Sequence, residues 1–528
     1  MVYLHTGYMI TPLGEGVAAN LKAVQDGETR LCMHTDVHGE RLVEPVMASL
    51  LDEERYKIDG FSLFESLCIH AINGAKASAT VNLQDERCVF ILSSTKGDIW
   101  VSMAESAKKI SSWFGNPNQP IVVSTACTSG VSAQLTAWRL LEDGLYSSAV
   151  VVGCDVQSEF IVSGFQSFHA LSNAMCAPFD KDRDGLNAGE AAACMILSIR
   201  PSAAGWTLLG GSIHNDANHI SGPSRTAEGS LRCLNDALER VPVSDLAVIS
   251  VHGTGTIYND EMESLALHRA GLDNVPVTAL KGNYGHTMGA AGLLETLLTL
   301  YALEQGIILP TKGYHRQGTT WLVAVSNQVR HTTQAAFIKL LSGFGGVNAA
   351  VAWTKQKTWQ SVAEITISAP ADLTSLYRQT VGDYPKFFKM DLMSKLGFMG
   401  VECLLGKVRE QEPGFTLDTE QAALIVASRS ASLKNDTDYQ CTIRDKENYF
   451  PSPSLFVYTL PNIVAGEIAI RHHLMGETAC YVLPDEQALE PVIHSFVSTT
   501  KAHQLLVAWV ECETAEKYNA HIRLLIKK

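Results

Sequence analysis

The strongest constraint on how this chain can fold is a rhythm of short, unbroken apolar runs alternating with helix-like segments. In the first two thirds, CVFILSS (88–94), IVVST (121–125), AVVVGC (149–154), AAACMILS (191–198), LAVISVHG (246–253) and PVTAL (276–280) lack polar alternation. They read as strands covered on both faces. Helical spacing fills the gaps, as in VSAQLTAWRLLEDG (131–144) and AAGLLETLLTLYALEQG (290–306). Strand and helix in alternation predict a layered α/β architecture. GFGGVNAAVAW closes this region near Trp353, and a polar stretch, TKQKTWQSVAE, marks a boundary. From about Ile365 to Lys528 a second unit alternates again, with AALIVAS, SLFVYTL, ACYVL and QLLVAWVEC as predicted strands.

With 528 residues, a normal apolar fraction and 18% charged residues, the chain can bury an extensive core. Its formal net charge of -14 argues against a nucleic-acid partner, which selects a basic surface. The 12 cysteines form no C-x-x-C pair and read as free thiols of a reducing compartment. MVYLHTGYMITPLGEG lacks the pattern of a secretory leader, and no apolar run approaches the ~18 residues of a membrane span. A cytoplasmic protein without stable membrane insertion is expected.

Four segments carry chemistry-bearing residues. In VVSTACTSGVSAQLTAW a strand runs into Thr125-Ala126-Cys127-Thr128-Ser129-Gly130, and a helix follows at once. A thiol at such a junction faces helix N-terminal amides, which favour a thiolate, and the turn resembles a nucleophile elbow. The alternative is a small buried hydrophobe. In LAVISVHGTGTIYNDEMES a strand delivers His252 to a loop holding Thr254 and Thr256, whose hydroxyls suit a polar substrate arm. A satisfied histidine at a strand end is the plainer reading, with Asn259, Asp260 and Glu263 holding the loop. In PVTALKGNYGHTMGAAGLLETLLTL, Lys281 ends a strand, Gly282 to Gly285 turn, and His286 opens a Gly/Ala-rich helix bearing Glu295. Lys281 and Glu295 fit a structural ion pair as well as a site-organising one. In LLSGFGGVNAAVAW, Gly343, Phe344 and Gly345 form a tight loop, either beside a site or an ordinary turn.

Taken in order, TACTSG, HGTGT, KGNYGH and GFGGVN resemble the signatures of the elongating β-ketoacyl-acyl-carrier-protein synthases. CAPFDKDRDGLNAGEAAACMILS and PLGEGV are family-like too. The resemblance covers roughly residues 1–355. It implies a thiolase-like layered fold of duplicated αβ halves. It implies Cys127 as acylated nucleophile, His252 and His286 as its partners, and Lys281 with Glu295 as support. Thr254 and Thr256 would lie near the carrier's phosphopantetheine arm, and Phe344, between Gly343 and Gly345, would gate the pocket. The implied activity is an acyltransferase-class decarboxylative condensation of acyl-Cys127 with a malonyl-acyl-carrier-protein thioester. Fatty-acid, polyketide or aryl-polyene-like synthesis is the implied setting. The implied partners are an acyl carrier protein and a second ketosynthase-like subunit or a second copy. No metal or redox cofactor is implied. A non-catalytic chain-length-factor-type subunit and an acyltransferase or thioesterase relative are the alternatives.

One stretch departs from the family. Typical members carry Ser-Pro…Pro-Asn before the nucleophile, where this chain has SSTKGDIWVSMAESAKKISSWFGNPNQPIVVSTAC. The family pattern appears instead at FPSPSLFVYTLPNIVAGEIAIRHHLMGET, from Phe450 to Thr478. Beyond it no T-A-C-x-S-G or H-G-T-G-T follows, and Cys480 comes too soon after Gly476 to match a nucleophile. The expected division is a catalytic domain at 1–355, a linker at 356–364, and at 365–528 a ketosynthase N-half-like α/β domain without a nucleophile. An unrelated α/β domain is the alternative for the last.

Overall fold

The computed structural model describes residues 1–200, 205–354, 365–368, 372–411, 413–500, 502, 504–514 and 517–526. The expected linker at 356–364 lies outside the described residues. One sixteen-stranded sheet runs through the molecule. Its strands include β1 (Val2–Thr11), β2 (Cys88–Ser93), β3 (Ile121–Val123), β4 (Ser148–Asp155) and β5 (Ala191–Ser198). Next come β6 (Thr207–Asn215), β7 (Leu246–Ser250), β8 (Val277–Thr278), β9 (Ala336–Gly343) and β10 (Val347–Thr354). The last five are β11 (Ile365–Ser368), β12 (Ala423–Ser428), β13 (Thr478–Val482), β14 (Gln504–Cys512) and β15 (Tyr518–Ile526).

The spatial order is β8-β7-β9-β10-β6-β1-β5-β4-β2-β3-β13-β12-β14-β15-β11. Inside it one five-strand pattern occurs three times. β2 is parallel to β3 and β4, β4 is antiparallel to β5, and β5 is antiparallel to β1. β7 repeats this with β8, β9, β10 and β6. β12 repeats it with β13, β14, β15 and β11. The first two sets join where β1 pairs antiparallel with β6. The first and third join where β3 pairs antiparallel with β13, Tyr481 opposite Val123 and Val482 opposite Val122.

The strands β2, β4, β9, β12 and β14 are buried along most of their length, as their unbroken apolar runs predict. Seven helices matter for the site: α1 (Ser129–Glu142), α2 (Glu159–Ser167), α3 (Ile257–Arg269), α4 (Ala291–Glu304), α5 (Leu433–Ile443), α6 (Pro453–Tyr458) and α7 (Ile463–His472). α1 and α4 lie in van der Waals contact at Gly130 and Gly292, where a Cβ on Gly130 would come within 2.8 Å of the Gly292 Cα. One apolar core is continuous from Ile121, Val123 and Leu135 to Ile425, Tyr481 and Phe496. The third strand set therefore shares the interior of the first.

Two local expectations change. SLFVYTL is helical, not a strand. Ser452 caps α6 by accepting from the Leu455 amide, Pro453 occupies the first turn, and Phe456 and Val457 are buried. Lys281 does not end a strand but starts a one-turn helix, Lys281–Tyr284, after β8, and His286 stands five residues ahead of α4 rather than opening it.

Candidate active site

The turn after β3 is held by hydroxyls. The Thr125 amide donates to Ser129 Oγ (2.9 Å), Ser129 Oγ donates to the Ala126 carbonyl (2.5 Å), and Thr128 Oγ1 donates to the Thr125 carbonyl (2.6 Å). Ala126 takes φ 51°, a left-handed conformation that costs an alanine energy and turns Cys127 outward at the head of α1. Cys127 opens onto a cavity of about 380 Å³ that also meets His252, His286, Thr254, Thr256 and Phe344. The residues expected around a thioester arm thus converge from all four of the chemistry-bearing segments.

His286 Nε2 lies 3.0 Å from Cys127 Sγ. The Met288 amide donates to Nδ1 of the same ring (3.3 Å), which leaves the ring proton on Nε2, facing the sulfur. The His286 backbone is fixed by the 176–190 loop: its amide donates to the Asn187 carbonyl at 2.7 Å and its carbonyl accepts from Gly189. The His252 ring stands edge-on to His286, centroids 5.2 Å apart. Burial, reinforced by Lys281 and Lys339, holds both imidazoles far below the usual histidine range, so both rings are neutral hydrogen-bond donors. Burial also pushes the Cys127 thiol up to about 12, against a downward pull from Lys281. The expected helix-terminal thiolate is therefore outweighed in the unloaded pocket, because removing the sulfur from water disfavours its anion.

Behind the histidines lies a charged cluster. Lys281 Nζ donates to the His252 carbonyl (2.6 Å) and to Glu295 Oε1 (2.8 Å). Lys339 Nζ donates to the Val251 carbonyl (2.8 Å) and to Glu295 Oε2 (2.5 Å). Glu263 on α3 accepts from the His252 amide (2.6 Å) and the Gly253 amide (2.8 Å). Burial works against the Glu295 anion, yet its two ammonium partners keep its carboxyl below the usual range. Lys281 and Glu295 are both buried and do not line the Cys127 cavity; they reach it through the His252 turn. Asp260 holds the next turn, accepting from Thr254 (3.0 Å) and Phe179 (2.8 Å). Thr254 and Thr256 hydroxyls lie 2.8 Å apart at the cavity wall.

The Gly343–Phe344–Gly345 turn joins β9 to β10. Gly345 takes φ 88°, and a Cβ on Gly343 would approach the Cys127 amide to 3.2 Å. The turn is held by the last third of the chain: Asn462 Nδ2 donates to the Phe344 carbonyl (2.5 Å). A smaller apolar cavity of about 40 Å³ continues from Cys127 past Ile161, Phe165 and Phe344 to Phe456 and Leu460. Its floor meets Lys96, whose Nζ lies 3.0 Å from Asp436 Oδ1 on α5. The pocket wall that the 93–127 segment leaves open is thus built by Phe456 and Leu460. Residue patterning pointed to neither Lys339 nor Asp436. The one available signal was a lone lysine, Lys339, inside the otherwise apolar run AAFIKLL.

Cys127, His252 and His286 are the cluster of metal-ligating types found among the described residues, their donor atoms within 4.8 Å of one another. The two ammonium groups behind the rings oppose the addition of a divalent cation. A separate cavity of about 400 Å³ lies between β6, α1 and the last third of the chain. Its His214 is engaged by Asp236 (2.8 Å), and charged side chains such as Arg139, Arg232 and Glu477 line it.

Several known proteins resemble this chain in sequence and in fold. Residues 70–203 match the N-terminal domain and residues 207–315 the C-terminal domain of beta-ketoacyl synthase. The chain is 31% identical over 247 residues to 3-oxoacyl-acyl-carrier-protein synthase 2 of Mycobacterium leprae (strain TN), covering 43% of this chain and 59% of the relative. It is 30% identical over 269 residues to the tetracenomycin polyketide synthase ketoacyl synthase alpha subunit of Streptomyces glaucescens, covering 47% and 63%. The chain thus spans less than two thirds of these relatives' length. Among solved structures, the ketosynthase ApeO in complex with its chain length factor ApeC from Xenorhabdus doucetiae superposes with a TM-score of 0.60 at 22% identity, over 67% of this chain and 97% of that one. The PfaC keto synthase-chain length factor superposes with a TM-score of 0.77 at 14% identity, over 100% of this chain and 78% of that one. Residues 70–315, on a thiolase-like α/β fold, thus match both domains of the β-ketoacyl synthase family.

Proposed function

We propose that this protein is a β-ketoacyl-acyl-carrier-protein synthase that forms a carbon–carbon bond by decarboxylative condensation. The observation that carries the reading is the Cys127 sulfur 3.0 Å from His286 Nε2, with His252 beside it, at the end of a 380 Å³ cavity. Cys127 Sγ attacks an acyl thioester; an acyl–sulfur bond forms and the carrier thiol leaves with the thiol proton. A malonyl thioester then enters, its carbon–carboxylate bond breaks, and carbon dioxide leaves. The electron pair passes to an enolate whose oxygen is bound by the two neutral imidazole N–H groups. The enolate carbon attacks the acyl–Cys127 carbonyl, and the sulfur departs as product forms. The Cys127 and Phe344 amides are the donors proposed for the tetrahedral oxyanion. The scheme uses no metal or redox cofactor. An acyl carrier protein delivers both substrates, and the setting is cytoplasmic fatty-acid, polyketide or aryl-polyene-like synthesis. Among the described residues no helix is long and apolar enough to cross a membrane.

We further assign residues 365–528 as a ketosynthase N-half without a nucleophile that closes the acyl pocket. The repeated strand pattern and the seating of Phe456 and Leu460 beside Cys127 support this. Intact-mass analysis after incubation with acyl-carrier thioesters, followed by assay of carbon dioxide release from a malonyl thioester, tests the whole scheme. Acylation on Cys127 together with decarboxylation is expected; acylation without decarboxylation would instead mark an acyltransferase.

A further inference from the structure

β9 packs between two cores. Phe337 and Leu341 face the central one, and Ile338 and Leu340 face the one beside α3. Lys339 shares the central face, where the pleat calls for an aliphatic side chain. It is wholly buried. Its ammonium spends its hydrogen bonds on two acceptors, the Val251 carbonyl and Glu295 Oε2. Lys281 does the same one residue further along, on the His252 carbonyl and Glu295 Oε1. Each oxygen of Glu295 therefore has its own lysine, and the two lysines hold consecutive carbonyls. On the opposite side of the same turn Glu263 holds the consecutive amides of His252 and Gly253.

We propose that Lys339 is a positioning residue for condensation: it joins Lys281 in clamping the turn that carries His252, and it places a second ammonium charge behind the paired imidazoles. This rests on the condensing reading above. A Lys281–Glu295 pair alone would be neutral as a unit. Adding Lys339 leaves one positive charge in the buried cluster, offset by Glu263 only to the extent that Glu263 is ionised. Burial, only partly relieved by its amide donors, raises the Glu263 carboxyl to about 7, so near neutrality the offset is incomplete. The groups facing Lys339 are Glu295 from α4, Glu263 with Asp260 beside it from α3, Lys281 from the one-turn helix, and the rings of His252 and His286. A net positive cluster disfavours a proton on either ring, which preserves both as neutral donors toward an enolate oxygen.

The test is the pH profile of carbon dioxide release from a malonyl thioester by the full chain. In Lys339→Gln, which retains a hydrogen-bond donor but no charge, proton binding to the rings becomes easier. The acidic limb then moves upward by about one pH unit, so kcat falls most at acidic pH, and KM changes less than twofold. Lys339→Arg, which keeps the charge, leaves the limb in place. A profile for Lys339→Gln that overlays the wild type, or a kcat reduced by the same factor at every pH, overturns the proposal. Should Lys339→Gln not fold, ¹³C-histidine titration of Lys339→Met against the wild type decides. His252 and His286 rings that take up a proton at higher pH in the variant support it, and rings that titrate alike in both proteins overturn it. A wild type that releases no carbon dioxide overturns the condensing reading itself, a separate result.

Discussion

Two neighbouring strands, β3 and β13, hold the same place in their own five-strand sets and lie antiparallel in the same sheet. One leads into Thr125-Ala126-Cys127 and a helix; the other leads into Leu483-Pro484 and a longer loop. Even their supports correspond. Asp155, at the end of β4, accepts from the turn after β2 through the Thr95 amide and Ser94 Oγ. Glu511, near the end of β14, accepts from the turn after β12 through the Arg429 and Ser430 amides. The scaffold of a strand-end site is thus present twice, while the left-handed alanine and the pocket-facing thiol are present once. What separates the strand end proposed as catalytic from the structural one is the half-dozen residues after it, not the sheet that carries them. The second unit contributes instead through the segment before its strand, where α6 and α7 reach across to wall the Cys127 pocket and hold the Phe344 turn.

The largest expected effect breaks the comparison at its catalytic end. Cys127→Ala abolishes acyl loading from a carrier thioester, read by intact mass, because no other described cysteine lines the cavity shared by the two histidines. Loading that persists in that variant would move the nucleophile elsewhere.

The seam gives the next effect. Lys96 is buried, and its partner from the other unit, Asp436, is mostly covered, its side chain 12% exposed. Lys96→Met strands the Asp436 carboxylate in the interior and should cost about 3–5 kcal/mol of unfolding free energy. Lys96→Met with Asp436→Leu should recover most of that loss. Denaturant titration of the two variants measures the difference, and equal losses would mean that the pair does not couple the units.

Much of this arrangement was legible in the residues, and the rest for physical reasons was not. Strand positions such as Ala149–Cys154 in AVVVGC followed from double-sided burial, and Cys127, His252 and His286 from four motifs in order. SLFVYTL misled because a short apolar run has no period of its own; Ser452 and Pro453 decided the helix. Lys339 and Asp436 escaped because their partners lie 44 and 340 positions away in the chain, and only the assembled sheet brings them together.

A chemical probe sharpens the same contrast. Since burial holds the Cys127 thiol near 12, its thiolate is scarce at neutral pH and grows about tenfold per pH unit. Alkylation of Cys127 by iodoacetamide should therefore accelerate throughout pH 6–9 without a plateau. Below its folded pKa the thiol stays protonated, so only a plateau in that window would reveal a thiolate already formed.

Cys480 is the smallest and most discriminating case. It lies in β13, fully buried, and its carbonyl accepts from the Ser124 amide (3.3 Å) just before the Cys127 turn. Burial raises its thiol to about 12 as well, yet it does not line the cavity that His252 and His286 share. Cys480→Ala removes one buried sulfur and should cost about 1 kcal/mol, the order of a single buried methylene. Acyl loading on Cys127 should stay within twofold of the wild type. Similar pKa values with opposite reactivities would locate the nucleophile's distinction in access and in the Nε2 proton of His286 rather than in acidity. A marked fall in loading would show instead that the β3–β13 seam itself sets the geometry of the Cys127 turn.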